Sequence, residues 1–177
     1  MRILGIDPGF ERLGVAILEK EKNGKEQVIF SECFKTSAKL EFNERLKLIG
    51  EEVKKIIKKY KPEILAIETL FLTTNHKTVM RVAEARGVVI YEASQAGLKV
   101  FEASPPQIKI ATTGYGRASK EQIIKMVKIL VETRPTPARQ SPSGGEHQSF
   151  GRVEKKESDD ELDAIAIALT AFAHLRF

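Results

Sequence analysis

The chain has 177 residues, 42% of them hydrophobic and 30% charged, which is enough for one substantial core and too little for two comfortable ones. A net charge of +5 and a pI near 9.3 suit an anionic polymer as partner, although a lysine-rich surface by itself names none. Cys33 is the only cysteine, which excludes an intramolecular disulfide and a cysteine-based zinc site and fits a reducing compartment.

Three β-rich runs open the chain, over 2–7, 13–19 and 27–36. They are separated by Asp7-Pro8-Gly9 and by an Asn23-Gly24 turn, short links that favour an antiparallel meander. The period then changes to that of a helix, with Phe42, Leu46, Ile49, Val53, Ile56 and Ile57 on one face and a stop before Pro62. Residues 64–68 read as a buried strand, 78–93 as a helix rich in small residues, and 98–103 as a fifth strand. Ser104-Pro105-Pro106 opens a short helix, and Ser119 with Gln122 makes a capping-box pattern for a helix carrying Ile123, Ile124, Val127, Leu130 and Val131. The last helix starts at Ser158-Asp159-Asp160-Glu161, a second capping box. Between these helices, residues 134–156 hold three prolines, two consecutive glycines and no apolar period, so a mobile insertion is expected there within a single domain spanning 1–177. The chain enters a strand without a basic and apolar leader, and its longest apolar stretch, 164–173, is too short for a bilayer. A soluble, cytoplasmic protein without a membrane partner is therefore expected.

Three antiparallel strands followed by βα units predict an α/β fold, a mixed five-stranded sheet with helices on both faces. If the first and fourth strands lie parallel and adjacent, Asp7 and Glu68 meet at the sheet edge where open α/β sheets bind ligands. A carboxylate that closes an apolar strand is costly without a partner. Asp160 and Asp163, at i and i+3, share a helix face and complete a four-acid set. Each acid has a plainer reading: Asp-Pro-Gly is an ordinary turn, and acids in a first helical turn favour the helix dipole. Asp159 lies on nearly the same face as Asp163, so spacing alone does not choose between Asp159 and Asp160. Oxygen-only ligands in this number suit magnesium, or manganese in its place, and two ions held ~3.5–4 Å apart activate water and stabilise a leaving oxygen in phosphodiester cleavage. His76, His147 and His174 are scattered and carry no assignment. Gly114 to Lys120 leads into a helix N-terminus that favours phosphate, with Lys109, Arg117 and Lys120 adding charge. The segment lacks P-loop spacing and reads as a nucleic-acid backbone contact, against the plainer reading of a solvated basic loop. Phe71, three residues after Glu68, is placed either to stack on bases or to fill the core.

An ordered set of motifs resembles the RuvC-type Holliday-junction resolvases of the ribonuclease H-like superfamily. It runs Ile3-Leu4-Gly5-Ile6-Asp7-Pro8-Gly9, Ala66-Ile67-Glu68 with Phe71, Ala85-Arg86-Gly87, Gln107 to Lys109, and Asp160-Glu161-Leu162-Asp163-Ala164-Ile165-Ala166-Ile167-Ala168. The resemblance implies that Asp7, Glu68, Asp160 and Asp163 bind two catalytic magnesium ions, with Asp159 left to capping. It implies that Lys109 and Lys120 line the groove and that Phe71 distorts the junction. It further implies a homodimer that resolves four-way DNA junctions in recombination and repair by paired symmetric nicks, with a RuvA-RuvB branch-migration complex as a further partner. The insertion 134–156 departs from the short link usual in that family. For the dimer face, the helix over 78–93 offers Val82, Ala83, Ala85, Gly87 and Val89, unless that face covers the sheet. Two rivals are a related RNA-processing nuclease and a junction-binding protein without activity; an actin-like ATPase would need a second domain that the chain has no room for.

Overall fold

The computed structural model describes residues 1–21, 25–70, 76–132 and 157–175. The expected Asn23-Gly24 turn, Phe71, His147 and the segment 134–156 lie outside the described residues. Strands β1 (Arg2–Asp7), β2 (Arg12–Lys20), β3 (Glu26–Lys35), β4 (Ile64–Glu68) and β5 (Lys99–Ala103) form one sheet in the order β3-β2-β1-β4-β5. The first three strands pair antiparallel, and β4 and β5 join parallel to β1, so the expected mixed sheet is present. The β1–β4 register runs from Ile3↔Ile64 to Ile6↔Ile67, which brings the ends of the two strands side by side.

Because side chains alternate across a sheet, the odd positions of β1 and the even positions of β4 share one face. Ile3, Ile64 and Ala66 pack there against helices α3 (Pro105–Thr113), α4 (Lys120–Glu132) and α5 (Asp159–His174). Leu4, Ile6, Leu65 and Ile67 face the other way, onto α1 (Phe42–Tyr60) and α2 (His76–Gln95). The same alternation assigns Asp7 and Glu68 to the α5 face.

Local signals account for the helix ends. Lys61 closes α1 in the left-handed region at φ 50°, just before Pro62. At the start of α4, Gln122 accepts from the Ser119 N–H at 2.8 Å while its own N–H donates to Ser119 Oγ at 3.3 Å. Ser158 Oγ accepts from the Glu161 N–H at 3.3 Å, and the buried Glu161 carboxylate also accepts from Ser31 Oγ at 3.1 Å, tying the start of α5 to β3. Among the described residues, no helix is long and apolar enough to cross a membrane.

The small residues of α2 divide differently from expectation. Ala85 and Val89 are fully buried against the sheet and Val82 is half-buried, so these three are core and not interface. The exposed stripe of α2 is instead Met80, Ala83, Gly87 and Tyr91, with Met80 63% and Tyr91 60% exposed. A 3.6-residue period with small residues on two adjoining arcs does not say which arc turns inward.

Candidate active site

The main chain of α5 rests directly on β1 and β2. A Cβ at Gly5 would overlap the Ala164 carbonyl oxygen, and one at Gly14 would overlap that of Asp160, so only glycine allows this approach. Gly14 is the antiparallel partner of Asp7, and the first turn of α5 is thereby set against the end of β1. Asp163 then joins Asp7 and Glu68 around a cavity of about 230 Å³, lined also by Lys109, Lys120, Pro105, Ile108, Ile123 and Ile167. The helix face that carries Asp163 continues into apolar core, which keeps the carboxylates half-buried.

Electrostatics follow from that burial. The Asp7 carboxyl is pushed up to about 7 by desolvation, then by the charges of Asp163, Glu68 and Asp160, with Lys120 opposing. Burial and the charge of Asp163 also raise Glu68, while Lys120 holds it down. Asp163 is raised by burial despite its ion pair with Lys120 Nζ at 3.0 Å. The Lys120 ammonium is itself held above its ordinary value, chiefly by the hydrogen bond to Asp163.

Asp160 lies one turn nearer the start of α5, outside the lining of the cavity. Its Oδ2 accepts from the Arg12 guanidinium and from the Cys33 thiol, the latter at 3.4 Å. The Cys33 thiol is pushed up by burial and by its hydrogen bond to Asp160. Asp159 is exposed. Arg117 is exposed and outside the cavity lining, whereas Lys109 is half-buried within it. The side chain of His76 and all of Phe71 and His147 lie outside the described residues, and His174 Nδ1 lies 2.9 Å from the Thr170 carbonyl at the far end of α5.

Sequence reasoning missed the side chains that hold these acids. Arg12 is five residues past Asp7 on the strand that pairs with it, but only the β1–β2 register and the seating of α5 show that it reaches Asp160. Arg86 belongs to a quoted motif, yet nothing in the sequence ties it to Glu68, whose carbonyl it binds at 3.1 Å.

A divalent cation fits the donor set. Asp7, Glu68 and Asp163 offer only hard carboxylate oxygens, and the raised Asp7 and Glu68 carboxyls mark negative charge that Lys120 alone does not neutralise.

Residues 3–143 match the family described as "Crossover junction endodeoxyribonuclease RuvC". A protein of that description from Halothermothrix orenii is 40% identical over 169 residues, covering 96% of this chain and 90% of the relative. Another, from Thermosipho melanesiensis, is 38% identical over 177 residues and the full length of both chains. Among solved structures, Thermus thermophilus RuvC in complex with a Holliday junction substrate is 30% identical with a TM-score of 0.77, over 98% of this chain and 94% of that one. The yeast mitochondrial Holliday junction resolvase Ydc2, at 15% identity and a TM-score of 0.68 over 96% of this chain and 77% of that one, shares the fold.

Proposed function

The chain belongs to the RuvC family of crossover junction endodeoxyribonucleases, and on that premise we propose that it resolves four-way DNA junctions with Asp7, Glu68 and Asp163 as the acids that hold its divalent metal. The observation that carries this reading is the convergence of three half-buried carboxylates and two lysines on one cavity at the carboxyl ends of two parallel strands. Bound magnesium would supply activation of water and stabilisation of the leaving oxygen.

The chain's own residues do the rest. Asp7 and Glu68 are held by adjacent strands and Asp163 by a helix seated on them, so the three donors are placed by rigid elements. Lys120 neutralises Asp163; were that carboxylate to hold a divalent cation, the ammonium would be free to meet the scissile phosphate. Lys109 adds positive charge to the cavity lining from α3, and Arg117 extends the path of the backbone outward. Asp160 joins as a fourth acid by leaving Arg12, and Phe71 takes the junction-opening role. The apolar wall of Ile108, Ile123 and Ile167 excludes water and strengthens each charge interaction.

A junction has near two-fold symmetry, so a homodimer is needed for paired nicks. Its face is the exposed α2 stripe of Met80, Ala83, Gly87 and Tyr91. The decisive experiment incubates the protein with labelled four-way, duplex and structured-RNA substrates, with and without magnesium, and maps the cuts. Paired symmetric nicks restricted to junctions, lost in Asp7→Asn and Glu68→Gln while junction binding persists, support the reading. Preference for RNA, or near-normal nicking by either variant, sinks it.

A further inference from the structure

An acid at the last position of a strand is poorly held by the sheet. The β1–β4 ladder stops at Ile6↔Ile67, one residue short of Glu68. On the opposite side β5 still grips the strand through Glu68↔Ala103, and the Thr69 N–H donates to the Ala103 carbonyl at 2.9 Å. The Glu68 carbonyl is taken by Arg86: its Nε donates to that oxygen at 3.1 Å. The same guanidinium pairs through Nη2 with Glu102 on β5.

Strand alternation shows the direction of this grip. Ile67 and its register partner Glu102 face α1 and α2, whereas the Glu68 carboxylate faces the cavity on the α5 side. Arg86 therefore reaches the backbone from behind the cavity, and it is not among the residues that line it. We propose that Arg86 is a positioning residue: by fixing the Glu68 main chain between α2 and β5, it aims the Glu68 carboxylate and sets the affinity of the site for its metal. The inference rests on the reading of Glu68 as a metal-holding acid. A planar guanidinium presents Nε–H and Nη2–H along one edge and serves two acceptors at once, which an ammonium cannot do in the same geometry. Glu102 is 51% exposed, so the ion pair alone adds little to stability. Positioning, and not folding, is the property that the arrangement supplies.

The test titrates Mn2+ into metal-stripped protein by calorimetry, beside thermal melting and junction binding in chelator, for Arg86→Ala, Arg86→Lys, Glu102→Gln and Glu68→Gln. We expect Arg86→Ala and Arg86→Lys each to weaken Mn2+ binding by about tenfold or more, the scale of outer-shell partners at metal sites. Melting should move by only a few degrees and junction binding should be unchanged. Excess metal should restore cleavage. Wild-type metal affinity in Arg86→Ala, beside a loss in Glu68→Gln, overturns the positioning role alone. Full rescue by Arg86→Lys overturns the two-acceptor geometry. Wild-type affinity in Glu68→Gln overturns the metal assignment on which the inference rests. Should Arg86→Ala fail to fold, Arg86→Lys and Glu102→Gln carry the test, the latter with a smaller loss of the same sign; no loss in either overturns the proposal.

Discussion

Replacing Asp7 with Asn should make the metal-free protein more stable and the enzyme inactive, and the size of the gain should depend on pH. In the folded chain Asp7 binds its proton at about 7, against an ordinary value of 3.8. Between those values the folded state holds more protons than the unfolded state, so stability falls as pH rises through the window, and the whole penalty is present above about 7. Three units at about 1.4 kcal/mol each give roughly 4 kcal/mol. Asn is of similar size and carries no charge, so it removes the penalty. In a chain of this size each kcal/mol moves the melting temperature by about 2–4 °C, which predicts a gain of roughly 8–16 °C at pH 8 in chelator. At pH 5 the gain should shrink to roughly 1.5 kcal/mol, and it should vanish only below about pH 3. Magnesium should then stabilise the wild-type protein at pH 8 and leave Asp7→Asn unmoved. Melts in chelator at pH 5 and 8, repeated with magnesium, measure both effects. A gain that is equal at the two pH values, or a loss at pH 8, would refute the claim that uncompensated charge is concentrated at Asp7.

Lys120→Ala removes the cation that holds Asp7 and Glu68 down, so the magnesium-dependent rate should rise with pH at a more alkaline position than in wild type; an unshifted pH–rate profile contradicts this. Gly5→Ala should cost about 1–3 kcal/mol or more through overpacking against the Ala164 carbonyl, and should lower the cleavage rate at temperatures where the variant remains folded; urea unfolding beside single-turnover cleavage checks both. A Cβ at Gly87 meets no atom within 4 Å, so the melting temperature of Gly87→Gln at high dilution should hold or rise by a helix-propensity gain of about 0.5 kcal/mol. Its sedimentation should fall to the mass of one chain, and a persisting dimer would move the interface off α2. Asp160→Asn should damage cleavage far more than Asp159→Asn, because Asp159 is exposed; the reverse order, read from initial rates, shifts the ligand assignment by one residue.

Strands β1 and β4 were legible to the residue because each is an apolar run closed by an acid, with Asp-Pro-Gly after one and Pro62 before the other. The capping boxes likewise marked the starts of α4 and α5. The ends of α2 were less so: the helix runs from His76 to Gln95, two residues further at each end than its apolar period showed, and Gly97 at φ 77° closes it, with the Leu98 N–H on the Ala93 carbonyl before β5 begins at Lys99. In the site, Asp7, Glu68 and Asp163 could be brought together on paper because strand alternation and helical period are both local rules. The partners of Asp160 could not. They depend on how far α5 sinks toward β2, which is decided by Gly14 and by a register written in no single segment.

The seating of α5 has a consequence for how far the enzyme can drift or be redesigned. The spacing between the α5 main chain and strands β1 and β2 is fixed where glycine lets peptide group meet peptide group, with no side chain between them to adjust. Exchanges among Ile, Leu and Val elsewhere in the core will change how firmly the molecule holds together, yet they have no lever on this gauge. Warming should loosen side chains long before it widens that spacing. The seating of α5 on β1 and β2 should therefore survive almost unchanged up to the temperature at which the whole domain gives way.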